Sequence, residues 1–216
     1  VDVVPFIPLA NASMEICTTI AIKYAEIIST ECDVPVYLYG ESATKLDRIS
    51  LPNIRRGEFE GFSEKIKQKN WIPDYGKPEL NKKSGVTATG SRNMLIAYNV
   101  NLDTNDKALA NIIAGKIRTS GVLKKDDEGN KIIGDNGKPK REPGKFKSLQ
   151  AAGWMYDDDT AQVSMNLLNY NVTGFHHVME SIKLEAKKLG LNVISSELVG
   201  LCPLDAFLEA GRYYCS

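Results

Sequence analysis

At 216 residues the chain has room for one large domain or two small ones with cores of their own. Its 27 basic and 27 acidic side chains cancel, which removes the net field that draws a protein to nucleic acid or a membrane surface. No apolar run reaches the ~20 residues of a bilayer span, and the opening VDVVPFIPLA has neither the basic flank nor the long apolar core of a signal peptide.

Val1–Leu9 is β-rich and punctuated by Pro5 and Pro8, which suits an edge strand. Ser13 caps a following helix, and Ile16, Ile20, Tyr24, Ile27 and Ile28 recur at helical spacing, predicting a core-facing stripe. VPVYLY at Val34–Tyr39 is a second strand, bounded by Pro35 and Gly40. Pro52 opens a helical stretch over Asn53–Gln68, with interruptions expected at Gly57 and Gly61.

Trp71-Ile-Pro-Asp-Tyr then leads into the polar segment Gly76–Arg92, GKPELNKKSGVTATGSR. Glycines there allow close backbone approach to a flat or anionic ligand, and Lys77, Lys82, Lys83 and Arg92 are suited to carboxylates. A solvated linker between two structured halves would have the same composition.

Met94–Leu102 reads as a strand, followed by a helix capped by Asp103 or Asn105 with the stripe Leu109, Ile112, Ile113, Ile117. Gly121–Lys147 interleaves Lys and Arg with Asp and Glu around two turn signals, so it reads as a protruding β-ribbon in solvent rather than a nucleic-acid patch. Ser148–Tyr156 and Ala161–Tyr170 form a strand pair across Asp157-Asp158-Asp159. Phe175, Val178, Met179, Ile182, Ala186 and Leu189 mark a helix closed by Gly190, Asn192–Val199 is the last strand, and Pro203 opens a terminal helix. The order β, α, β, β, α, β predicts a split βαβ, ferredoxin-like antiparallel sheet with both helices on one face. The second strand of the pair lacks the aromatic pattern of an RNA-binding platform.

Few residues carry obvious chemistry. Cys17, Cys32, Cys202 and Cys215 are scattered and only two histidines exist, so no metal set is expected and free thiols in a reducing cytoplasm are the plain reading. His176 and His177 are adjacent, about 100° apart on a helix, and read as structural. Gln162, Ser164 and Asn166 share one strand face, either lining a groove or forming the wet face of the sheet.

WIPDYGKPELNKKSGVTATGSRNMLIAYNVNL, taken with VDVVPFIPL, VPVYLYGES and SSELVGLCPL in the same order, resembles glutamate formimidoyltransferase (formiminotransferase) over nearly the whole chain. The resemblance implies an α+β fold of two ferredoxin-like α/β subdomains, with 1–83 the incomplete tail of the first and 84–216 most of the second. It implies transfer of a formimino group from N-formimino-L-glutamate to tetrahydrofolate, the latter as co-substrate. It also implies a homodimer and a cyclodeaminase, fused or separate, as partner. By the same resemblance Gly76, Lys77, Pro78, Glu79, Leu80, Asn81, Lys82, Lys83, Ser84 and Gly85 contribute to the folate site, with Arg92 beside them. Glu197 sits where the family has a polar residue, although a solvent-facing strand residue would look the same. The family's catalytic histidine matches nothing in this chain. It lies upstream of the part matching Val1, so the expectation is a piece of a longer enzyme; a non-catalytic folate-binding module is the alternative.

Overall fold

A computed structural model describes residues 2–135 and 137–216; Val1 and Asn136, within the expected first strand and ribbon, lie outside them. The chain divides into two mixed α/β units, Val1–Met94 and Leu95–Ser216. The expected boundary after Lys83 is displaced, because the segment that follows it is a strand of the first unit.

Among the described residues the first unit builds a three-stranded sheet from β1 (Val3–Phe6), β2 (Val36–Gly40) and β3 (Thr87–Ser91), in the order β1-β3-β2. Both pairings are parallel. This corrects the ferredoxin-like expectation for this unit, which requires antiparallel neighbours. β3, read from the sequence as loop, is the central strand, and all five of its residues are buried. Its small side chains leave room for close neighbours: a Cβ at Gly90 would run into the Tyr39 carbonyl, and the Thr89 hydroxyl donates to the Val4 carbonyl at 2.8 Å.

α1 (Met14–Glu31) crosses this sheet, capped by the Ser13 hydroxyl, which accepts from Ile16 N at 3.2 Å. It buries Cys17, Ala21 and Ala25, while Ile16, Ile20 and Ile27 are exposed. Of the predicted stripe, Ile28 packs against this core and Tyr24 meets Phe6, while Ile16, Ile20 and Ile27 turn outward, since a strand of Thr, Ala, Gly and Ser admits a helix face of small residues. Val36 and Leu38 pack toward α1, whereas Tyr37 and Tyr39 pack with Ile54, Phe62 and Ile66. Covering both faces explains why VYLY shows no alternation. Ile54 and Phe62 belong to α2 (Leu51–Arg55) and α3 (Glu58–Lys65), separated at Gly57 with φ 93°. Gly61 lies inside α3 and interrupts nothing.

The second unit places β4 (Ile96–Leu102), α4 (Lys107–Ile117), a ribbon of β5 (Val122–Leu123) and β6 (Arg141–Glu142), β7 (Leu149–Met155), β8 (Ala161–Leu167), α5 (Phe175–Lys188), β9 (Val193–Val199) and α6 (Leu204–Cys215). The main sheet runs β7-β8-β4-β9 with antiparallel pairing throughout. One core joins Tyr98, Val100 and Leu102 of β4 to Ile113 and Ile117 of α4 and to Val178, Ile182 and Ala186 of α5. Ile112, expected in the stripe, is exposed; Ala110 and Ala114 occupy that face.

The cap of α4 is Asp106, whose carboxylate accepts from Ala108 N at 2.8 Å, not Asp103 or Asn105. Asp103 instead grips the start of β9, accepting from Asn192 N at 2.7 Å and Asn192 Nδ2 at 2.8 Å. Those bonds hold its carboxyl below the usual range. Pro203 is the cap of α6 rather than its first residue.

Candidate functional site

The polar segment is organised by a buried ion pair that its sequence did not announce. Arg48 and Asp74 are 1% and 8% exposed and meet Nη1 to Oδ2 at 2.6 Å. Arg48 Nη2 donates to the carbonyls of Asn70 at 3.0 Å and Ile72 at 2.6 Å. Asp74 accepts from Leu38 N at 2.9 Å and from the Thr44 hydroxyl. The guanidinium lies 4.9 Å from the Tyr37 ring centre. Together these contacts tie Trp71-Ile-Pro-Asp to β2 and fix the point from which Gly76–Gly85 departs. Lys65 anchors the same wall, 4.0 Å over Trp71 and donating to the carbonyls of Asn53, Ile54 and Arg56. Burial, helped by the Arg56 charge, brings its ammonium down to about 8, and three carbonyl acceptors suit the charged form it keeps at neutral pH.

Gly76–Gly85 is an ordered excursion. Asn81 closes it: its Oδ1 accepts from Lys83 N and Ser84 N, both at 3.0 Å, and its carbonyl accepts from Gly85 N at 2.7 Å. Gly85 has φ +68°, a conformation that side chains resist. Lys82, Lys83 and Ser84 are thereby displayed at an exposed tip, and Lys77 stands 3.8 Å from Asp33 in solvent.

Two cavities flank this excursion. One of about 440 Å³ is walled by Phe59, Phe62, Leu80, Ser84, Gly85 and Val86, with Asp2, Arg55, Glu58 and Glu60 around it. The other, about 250 Å³, is lined by Asp33, Pro35, Lys77, Glu79, Leu80, Asn81 and Lys82. Pro78 lies exposed between the lining residues.

Arg92 does not join this group. It follows the carboxyl end of β3, whereas the excursion precedes the amino end, so a five-residue strand, about 17 Å of extended chain, separates them. Its guanidinium donates to the Asn93 carbonyl at 2.9 Å. It also stands by the buried hydroxyl of Tyr39. Burial raises that phenol, and hydrogen bonding to Arg92, together with its charge, pulls it back.

Glu197 belongs to the second unit. Strand register puts it opposite Asn99 of β4, on the sheet face away from the helices. Its Oε1 accepts from Asn99 Nδ2 at 3.0 Å and from Gln162 Nε2 at 3.1 Å. Gln162 is 4% exposed, so of the two readings of that strand face the wet one does not describe it.

His176 is buried among Phe175, His177 and Tyr213. Burial, with the neighbouring His177, holds its imidazole low. Among the described residues no three His, Cys, Asp or Glu side chains group as metal ligands, no helix is long and apolar enough to cross a membrane, and the four cysteines are free.

Residues 1–92 match the family described as "Formiminotransferase domain, N-terminal subdomain", and residues 97–216 match "Formiminotransferase domain". The division between the matches falls beside the structural boundary at Met94. The chain is 42% identical over 215 residues to formimidoyltransferase-cyclodeaminase of Mus musculus, covering 99% of this chain and 37% of that protein. It is 38% identical to glutamate formimidoyltransferase of Streptococcus pyogenes serotype M1 and 37% to that of Thermoplasma acidophilum, each over 99% of this chain and 64% of the relative. The chain thus spans between about a third and two thirds of the length of these relatives. It belongs to the formiminotransferase family, as both of its units match that family's two subdomains.

Proposed function

We propose that the chain serves transfer of a formimino group from N-formimino-L-glutamate to N5 of tetrahydrofolate. The observation that carries this reading is the family match over both units. The ordered Gly76–Gly85 excursion, walled by two cavities, supports it as the place of folate contact. The reaction passes through a tetrahedral centre: the attacking amine loses a proton while the transferred amidine carries positive charge. Glu197 supplies a carboxylate for that cation, Lys82 and Lys83 face the folate's glutamate carboxylates, and Arg92 takes an anion at the other end of β3. The β-α-β-β-α-β order and antiparallel sheet of the second unit support its assignment as ferredoxin-like. A cytoplasmic homodimer working with a cyclodeaminase completes the proposal; the free thiols agree with a reducing compartment.

Neither histidine is placed as a base, since both lie in the aromatic cluster of α5. The 216-residue chain should therefore bind tetrahydrofolate but turn over at least about a hundredfold more slowly than an ordinary enzyme, the typical loss when a general base is missing. Assay of the purified chain with both substrates checks this. Binding without turnover would also fit a folate-binding module, whereas turnover at an ordinary rate would mean that another residue acts as base.

Within the excursion, Gly85→Val should abolish folate binding, because valine resists φ +68° and its branches would press on Phe59, 3.4 Å from the Cβ position. Lys82→Ala should weaken binding only several-fold and in a salt-dependent way, as an exposed cation contributes ~1 kcal/mol or less. Titration calorimetry at two salt concentrations separates the two effects. Unchanged binding in both variants would reduce the segment to a linker.

A further inference from the structure

On the sheet face away from the helices, side-chain amides form a ladder across three strands. Ser195 Oγ on β9 accepts from Asn101 Nδ2 on β4 at 3.0 Å. Asn101 Oδ1 accepts from Gln162 Nε2 on β8 at 2.8 Å. The same Gln162 nitrogen donates to Glu197 Oε1 on β9 at 3.1 Å, and Asn99 Nδ2 donates to that oxygen at 3.0 Å.

Two features distinguish this arrangement from scattered surface polar groups. Gln162 and Asn101 are 4% and 8% exposed, so their amides are removed from water and each bond restricts a rotamer. Both donors to Glu197 also converge on a single oxygen. Oε2 makes no hydrogen bond within the described residues and remains available for a ligand.

We propose that Gln162 is a positioning residue: held by Asn101, it fixes the Glu197 carboxylate so that Oε2 is presented to the cationic amidine of the formimino substrate. This rests on the reading of Glu197 as a substrate-binding carboxylate. A carboxylate with one oxygen occupied by fixed amide donors meets a planar cation in a single orientation and loses less side-chain freedom on binding. Gln162 suits the task because it donates and cannot ionise. A cation in its place would neutralise the carboxylate, and an apolar residue would leave it held by Asn99 alone, with more freedom to turn.

The test uses the full chain with three variants. Gln162→Met keeps the volume and removes the donor; Glu197→Gln removes the charge; Ile113→Val is a mild lesion in the core on the opposite face and controls for lost stability. Side-chain NMR relaxation of Glu197, without ligand, should show a clear rise in mobility in Gln162→Met and none in Ile113→Val. The dissociation constant for N-formimino-L-glutamate should rise on the order of tenfold in Gln162→Met, as for loss of a hydrogen bond to a charged group, and at least as much in Glu197→Gln. Affinity for N-formyl-L-glutamate, whose amide replaces the cationic amidine by a neutral group, should be unchanged. Unaltered Glu197 mobility in Gln162→Met overturns the positioning role whatever the ligand does. Weakened binding in Glu197→Gln with full binding in Gln162→Met overturns it while leaving Glu197 as a substrate residue. Undiminished binding in Glu197→Gln overturns both.

Discussion

Asp74→Ala should destabilise the first unit by about 3–5 kcal/mol, the cost of leaving one partner of a buried ion pair without the other. Arg48 is 1% exposed, and its Nη1 faces Asp74 at 2.6 Å. Its Nη2 already serves two carbonyls, and its Nε has no partner among the described residues. With the carboxylate gone, no other anion meets the guanidinium among the ion pairs of the described residues. Leu38 N, on a strand buried on both faces, loses its acceptor as well. The double change Arg48→Met, Asp74→Leu should cost much less, because no charge is then stranded. Trp71 lies against this pair, 5.8 Å from the guanidinium carbon, and the other tryptophan, Trp154, is in the second unit. In a Trp154→Phe background, urea unfolding followed by Trp71 fluorescence reads the first unit alone. A loss below about 1 kcal/mol in Asp74→Ala would place the pair with ordinary surface bridges. A loss of the expected size would mean that the departure point of the Gly76–Gly85 excursion is fixed by electrostatics.

That pair also shows where sequence reading stops. Arg48 sits in a charged run and Asp74 in a proline-punctuated lead-in, and nothing in their 26-residue separation signals that they meet. The second unit was legible because each of its strands is half covered and each main helix lies on one core, so apolar periods of two and of nearly four survive in the sequence. In the first unit both faces of the sheet are covered, which erases the period. Its central strand, Thr-Ala-Thr-Gly-Ser, offers only two threonines as strand signal among Ala, Gly and Ser, which carry little. The α1 stripe misled in part for a related reason: opposite a strand of small residues, Ala21 and Ala25 make the closer fit, and Ile16, Ile20 and Ile27 are left outside while Ile28 packs against the core. Glu197 was identified through the resemblance, and its link to Gln162 depends on register across β4, which local patterning does not encode.

The second unit should lose about 2–5 kcal/mol in Ile113→Ala and again in Ile182→Ala, while removal of the ribbon's outer part should leave it nearly unchanged. Ile113 and Ile182 are both fully buried and sit in the one core that joins α4 and α5 to the sheet. Truncation leaves a cavity that a β-sheet and two docked helices cannot easily collapse around. By contrast, none of the described residues in 126–140 is buried. The ribbon's root is held independently. Leu123 pairs with Arg141 and Val122 with Glu142, and Arg141 Nη2 donates to the Gly121 carbonyl at 3.0 Å. Deleting 126–140 leaves Lys124 and Lys125 as a two-residue connection between Leu123 and Arg141. Recoding them with Lys124→Asn and Lys125→Gly supplies the turn such a hairpin prefers. Thermal melts of the three proteins should then show both alanine variants well below the parent and the ribbon deletion within a few degrees of it. If the deletion were as damaging as the core truncations, the ribbon would be part of the packing that holds β7 and α4 together. The apolar stripes of α4 and α5 would then not account for this unit's stability.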